Sequence, residues 1–366
     1  MKQMTAAIAL AVGFGFIGAA AHATSITFST FVNGADIVAA EGQQNTIAFN
    51  YTGTGFVGSV YFGNNNNQLY STDLTGGNVQ KFGGPIDSFA GEVVIGVGLG
   101  QAGFSQGAVY AGAQNSNQIY LVPPVGAPVL FGSTGNSEGI RQILFDPGSS
   151  FGGRMLVSTT SGRIYSFNSS GAPALIASVG EDTEGLDIAS SAYGQYAGQL
   201  LVTSEGTGRV RAVSPGGVVT LLQSSGGGNV FVPAAETISV VPLNLGVSGN
   251  PIEGFYVANY AVNDQFAAAA QFTGLKGDAI VTSEDGSNAR IWDLRYNGDF
   301  LNTFDVLPIG NLPNQSEDGI FVTAQRITDI NGVPEPASLI LLGSALGTLG
   351  LLSLRRKRNG TPVPHA

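Results

Sequence analysis

Two stretches, Val60-Tyr61-Phe62-Gly63 with Gln68-Leu69-Tyr70 and Val109-Tyr110-Ala111-Gly112 with Gln118-Ile119-Tyr120, decide how this sequence folds. Each is an apolar strand followed by a second strand ending on tyrosine. Between them stand turn residues, Asn64 to Asn67 in one and Asn115-Ser116-Asn117 in the other. Asparagine suits a hairpin tip because it tolerates left-handed backbone. Three drifted copies follow: Met155-Leu156-Val157 with Arg163-Ile164-Tyr165, Leu200-Leu201-Val202 with Arg209-Val210-Arg211, and Ala279-Ile280-Val281 with Arg290-Ile291-Trp292. Aligning Val60, Val109, Leu156, Leu201 and Ile280 gives steps of 49, 47, 45 and 79 residues. A period in the mid-forties, with three or four short strands per unit, is the pattern of propeller blades. The chain therefore reads as all-β: a β-propeller of about six blades, five of them clear repeats.

The long last step leaves room for an insertion or partial extra blade around Phe255-Tyr256-Val257-Ala258-Asn259-Tyr260. Ile26 to Val32 and Gly319 to Thr323 read as the two chain ends meeting in one blade, which leaves no unpaired sheet edge. The alanine run Ala267 to Ala270 is the one helical turn expected in the body.

Outward from the repeats, both ends of the chain read as processing signals. Residues 1–23 hold an early lysine, an apolar stretch from Ala6 to Ala21, and the small-residue pattern Ala21-His22-Ala23. This is a secretory signal peptide with its cleavage site marked by Ala21 and Ala23, its apolar run read as a helix. At the other end, Val333-Pro334-Glu335-Pro336 precedes eighteen uncharged residues, 337–354, and then Arg355-Arg356-Lys357-Arg358. As a helix the uncharged run reaches about 27 Å, enough to cross a hydrocarbon layer of about 30 Å. The basic cluster, 355–358, and the tail, 359–366, then stay cytoplasmic and the body, 24–332, lies outside.

Composition fits an exported fold. The body has neither Cys nor His, because His22 and His365 lie in the flanks, and it holds 24 acidic against 10 basic residues. Stability must come from core and sheet rather than disulfides. Nucleic acid is excluded as a partner because no basic cluster is present to neutralise phosphates. Contact with a membrane is expected only through the C-terminal span, before processing.

The C-terminal end, 333–358, resembles the PEP-CTERM sorting signal of Gram-negative bacteria, in which a Pro-Glu-Pro motif, one short span and a basic cluster occur in this order. The resemblance implies that Pro334, Glu335 and Pro336 are recognition residues for exosortase, a membrane protease-transpeptidase, and that the span is removed after export. It implies an outer-surface or extracellular-matrix location after transient inner-membrane anchoring. The Sec translocon and signal peptidase act before it. A permanent tail anchor is the alternative reading. The tail beyond the arginines departs from the usual pattern.

Most motif matches fail on chemistry. The Gly-x-Ser-x-Gly pentads at Gly103 to Gly107 and Gly135 to Gly139 lack any histidine base in the body. Gly98-Leu99-Gly100-Gln101-Ala102-Gly103 lacks the helix that a dinucleotide fingerprint needs. Trp292 and Tyr296 are candidates for stacking on sugar, or core residues at a strand's end.

Four glutamates remain. Glu138 before Gly139-Ile140, Glu184 before Gly185-Leu186, Glu236 before Thr237-Ile238 and Glu317 before Asp318-Gly319-Ile320 each lead an apolar strand. If those strands are the inner ones, the carboxylates point to one end of the channel, where oxygen ligands suit a hard cation such as Ca²⁺. The alternative is that each accepts backbone N–H bonds at a turn. The Glu-Gly-Ile/Leu start of a blade, followed by Gly-x-Leu-Leu-Val, resembles NHL and SMP-30 type propellers. That resemblance implies a divalent-metal site used in lactone hydrolysis, whose asparagine and aspartate partners have no counterpart in this sequence. The preferred reading is an exported binding scaffold acting on exopolysaccharide or envelope proteins. A metal-dependent hydrolase or lyase of the SMP-30 type is the rival.

Overall fold

The computed structural model describes residues 25–61, 69–86, 91–285, 288–323 and 326. Their strands form six antiparallel sheets of four. Blade 1 holds Thr46–Tyr51, Phe56–Val60, Leu69–Thr72 and Gln80–Lys81. Blade 2 holds Val93–Val97, Val109–Ala113, Ser116–Val122 and Val129–Ser133. Blade 3 holds Ile140–Phe145, Met155–Thr159, Arg163–Phe167 and Pro173–Ser178. Blade 4 holds Leu186–Ile188, Leu200–Ser204, Arg209–Val213 and Val219–Leu221. The first strand of each sheet packs beside the first strand of the next, and the sixth returns to the first, so the ring closes.

Blades 5 and 6 exchange chain. Blade 5 starts with Ala235–Val240, but its remaining strands are Ala279–Ser283, Arg290–Tyr296 and Phe304–Asn311. The hairpin Gly254–Asn259 and Asp264–Ala268, lying between them in sequence, forms the middle of blade 6. Ser316–Val322 supplies the inner strand of that blade and Ser29–Val32 its outer strand. The 79-residue step is thus an inserted pair of strands, and both chain ends enter one blade as expected.

Burial runs from the axis outward. The inner strands of blades 1, 2 and 5 are buried at every residue, while Gln80–Lys81 and most of Pro173–Ser178 are exposed. An inner strand packs on both faces against neighbouring blades, so even its polar residues, such as Asn50 and Ser239, are buried. Side chains tie neighbouring blades together: Asn50 Nδ2 donates to the Ile95 carbonyl (3.2 Å), and Thr183 Oγ1 to that of Thr159 (3.0 Å). The Val240 N–H donates to Asp187 Oδ2 (2.6 Å), linking blades 4 and 5. Blades 6 and 1 meet at an aromatic seam where Tyr256 lies 4.6 Å from Phe56 and 4.8 Å from Phe31, ring centre to ring centre.

Three expectations are corrected. Ala267 and Ala268 finish a strand, because they pair with Phe255 and Gly254, and the helical turn begins only at Ala269 in the 3₁₀ segment Ala269–Leu275. An α-helix, Gly34–Glu41, precedes blade 1, capped by Asn33, which accepts from the Ala35 N–H, and ended by Gly42 in left-handed conformation. It starts on a glycine because a Cβ at Gly34 would meet the Val262 carbonyl oxygen at 2.1 Å. Finally, Val60 closes its strand where Val109 opens its own, so the first two repeats align in their second halves, at Leu69 and Ile119, rather than at the valines.

All six inner strands run the same way, so their N-terminal ends gather at one mouth of the channel and their C-terminal ends at the other. The signal peptide with Ala21 and Ala23, the sorting signal with Pro334, Glu335 and Pro336, and the turn Asn64 to Asn67 lie outside the described residues.

Candidate metal centre

The N-terminal mouth is acidic. Glu92, Glu184, Glu236 and Glu317 line it with Arg141. Glu205 and Glu284 join from the connections that follow the second strands of blades 4 and 5. The structure therefore brings together three of the four glutamates singled out in the sequence and separates the fourth. Glu138 accepts from Thr159 Oγ1 (3.0 Å), Tyr165 OH (2.8 Å) and Ser161 Oγ, with Arg163 Nη1 3.3 Å away. Burial favours its neutral form, but these hydrogen bonds win and hold the carboxyl below its ordinary range. Glu138 fastens its own blade. Counted back from the pairs Ile143 with Val157 and Ile238 with Val281, the blade 3 residue that stands where Glu236 does is Arg141, and Glu138 lies three residues earlier.

Arg141 balances one side. Its Nη2 lies 2.6 Å from Asp182 Oδ2 and 3.0 Å from Glu184 Oε1, and its Nη1 contacts Glu92. Glu184 Oε1 is buried and faces this guanidinium without a hydrogen bond. On the other side no cation is paired with the carboxylates among the described residues. Glu205, Glu236 and Glu284 each present one carboxylate oxygen, and the three oxygens lie within 4.8 Å of one another. Gln315 Nε2 donates to Glu284 Oε1 (2.6 Å) and Glu317 Oε1 (2.9 Å). Glu236 is more than nine-tenths buried.

Proximity of like charges shows in the acidities. Burial first, and the neighbouring Glu284 next, push Glu317 up to about 8. Glu284 is pushed up to about 7 by burial and by Glu205 and Glu92. Glu236 and Glu184 also lie well above the carboxylate range; for Glu236 burial acts with Glu184 and Glu317, while for Glu184 Arg141 opposes the burial. Without a counter-ion these groups keep protons that a glutamate in water loses. Their donor set, carboxylate oxygens with one orphaned buried acid, fits a hard divalent cation.

Sequence reasoning missed Glu92, Glu205, Glu284 and Arg141. Two of them carried a signal: the second strands end Leu201-Val202-Thr203-Ser204-Glu205 and Ile280-Val281-Thr282-Ser283-Glu284, a repeated Val-Thr-Ser-Glu. Trp292 and Tyr296 are partly buried and pack on the aromatic cluster of Tyr193, Tyr196 and Phe304, so they are core residues here. The glycines from Gly98 to Gly107 form a turn closed by the Gly98 N–H on the Ala108 carbonyl (2.9 Å), with no helix behind it.

Topology and site together define a six-bladed β-propeller with an acidic mouth. No family model and no curated protein matches the chain. Solved structures of the same fold do. A protein assigned as a gluconolactonase is 10% identical, covering 79% of this chain and 83% of that one, with a TM-score of 0.44. A chain of the nidogen–laminin complex is 10% identical over 76% of this chain and 85% of that one, with a TM-score of 0.47. Virginiamycin B lyase from Staphylococcus aureus is 10% identical over 78% and 89%, with a TM-score of 0.44. These are likenesses of fold.

Proposed function

We propose that this chain is an exported propeller that holds a divalent cation of the calcium kind at its acidic mouth and presents that mouth, as a binding scaffold, to extracellular partners such as exopolysaccharide or envelope proteins. The observation that carries the reading is the crowding of the buried Glu236 with Glu205 and Glu284, one carboxylate oxygen of each within 4.8 Å of the others, at a mouth where Glu184 Oε1 is also buried without a hydrogen bond. A bound cation supplies positive charge and open coordination positions for hydroxyl or carboxylate oxygens of a ligand. Glu205, Glu236 and Glu284 would hold it, Gln315 orients Glu284, and Arg141 neutralises the far side of the mouth. Calorimetric titration of the protein with Ca²⁺ tests this. Saturable binding that disappears in Glu236→Gln supports it, and no binding sinks it.

Export rests on the terminal sequences. In cells with an exosortase the mature protein is expected to lack Ala337 onward; a mass spectrum with Leu339 to Leu354 still attached to exported protein would refute processing.

A second reading, a metal-dependent hydrolase or lyase, is favoured by one observation. Glu317, pushed up to about 8 by burial and by Glu284, holds a proton at neutral pH, as a general acid must. Calcium-dependent hydrolysis of a simple lactone, lost in Glu317→Gln while Ca²⁺ still binds, would promote this reading over the scaffold.

A further inference from the structure

The two ends of the ring differ in the side chains their connections expose. Connections between first and second strands, and between third and fourth, lie at the far mouth, opposite the carboxylates. Exposed there are Val125 in blade 2, Val218 in blade 4, Phe300 and Leu301 in blade 5, and Leu243 and Val247 between blades 5 and 6. Phe300 is 97% exposed and Val125 88%. Among the described residues, the connections at the acidic end expose two large apolar side chains, Phe231 at 58% and Val38 at 40%. Single exposed apolar residues are ordinary, but a set gathered at one end of a ring marks an interaction face.

A second observation says what meets that face. The inner strand of blade 6 ends at the far mouth, and Thr323 and Arg326 line the cavity of about 300 Å³ that opens there. Ten residues separate Arg326 from the uncharged run 337–354, a reach of at most about 35 Å. The span therefore tethers this end of the ring and not the acidic one.

We propose that, in the chain that still carries its C-terminal run, the far face also rests on the phospholipid bilayer, with its apolar loop tips in the interface and the acidic mouth turned away. The proposal rests on the reading of 337–354 as a membrane span. Exposed charged side chains on this face include Arg154 and Asp299, one of each sign. The attraction is then apolar, and zwitterionic lipid suffices.

The chain contains no cysteine, so single cysteines can be labelled selectively. Full-length chain in phosphatidylcholine vesicles, labelled with a fluorophore at Phe300→Cys, Val247→Cys or Phe231→Cys, is exposed to a lipid-borne nitroxide. Quenching at positions 300 and 247 should exceed that at 231 several-fold, and Phe300→Ser with Leu301→Ser should lower it at 247. Equal quenching at all three positions overturns the proposal. Alkaline carbonate extraction reports the span separately. Chain that is released, yet quenched at Phe300→Cys before the wash, refutes the span and supports the docking. Chain retained by the vesicles but quenched no more at 300 than at 231 keeps the span and overturns the docking.

Discussion

The acidic mouth and the far mouth are built from opposite ends of the same six strands, and they solve different problems. At the far mouth the channel-lining polar groups are satisfied from within: Asp187 accepts from the Val240 and Ile188 N–H groups, and Asn50 donates to Ile95. At the acidic mouth Glu184 Oε1 is buried without a hydrogen bond, and the carboxylates of Glu205, Glu236 and Glu284 crowd together. Polar groups that satisfy one another hold blades together; polar groups left unsatisfied mark where something else binds.

The sharpest control on this comparison disturbs both mouths at once. Tyr256→Ala removes the centre of the aromatic seam and should cost about 3–5 kcal/mol by denaturant unfolding, with or without calcium. Equal stability of this variant and the parent would mean that the seam does not close the ring. Calcium should act on one mouth alone. At a hundred times its dissociation constant it adds about 2.7 kcal/mol, raising the melting temperature by several degrees, and Glu236→Gln should abolish the gain.

Acidity gives a third test. Glu317 at about 8, Glu284 at about 7 and Asp187 at about 6 all hold protons in the folded chain that the unfolded chain releases near pH 4. Their stabilising effect is full below that pH and is lost as pH rises through these values. Stability without calcium should therefore fall by several kcal/mol between pH 5 and 8. Calcium should flatten the fall; a profile that rises over this interval would contradict the burial of these groups. The smallest effect separates the glutamates themselves. Glu138→Gln weakens three hydrogen bonds inside blade 3 and should cost about 1 kcal/mol while leaving the calcium response unchanged. A lost calcium response would place Glu138 in the cation site after all.

The fold was legible because the second strands are buried on both faces and so repeat as apolar runs, Leu156-Val157 in one blade and Leu201-Val202 in another. The blade 6 strands were harder to read, since their pairing joins Ser29 to Phe266 across most of the chain and brings Val322 back to Gly254 past two strands of blade 5. The site was half legible. Glu184, Glu236 and Glu317 stood out by their place before inner strands, whereas Glu138 precedes its Gly-Ile in the same way but lies three residues before Arg141, the blade 3 counterpart of Glu236. The motif fixes the local sequence and not its register on the second strand. Glu205 and Glu284 were hidden because hairpin residues enter the mouth from the side, and only their shared Val-Thr-Ser-Glu betrays them.

The exchange of strands between blades 5 and 6 has a temporal meaning. Blade 5 cannot gain its second strand until the blade 6 hairpin has been made, and blade 6 lacks its inner strand until Ser316–Val322 emerges. Its outer strand, Ser29–Val32, waits for a partner, Asp264–Ala268, made more than two hundred residues later. Such long-range pairing is slow to form, because the entropy of closing the loop is lost before any contact repays it. The ring thus stays open at its seam until Ser316–Val322 has been made, and the four earlier blades must hold without a closed circle around them.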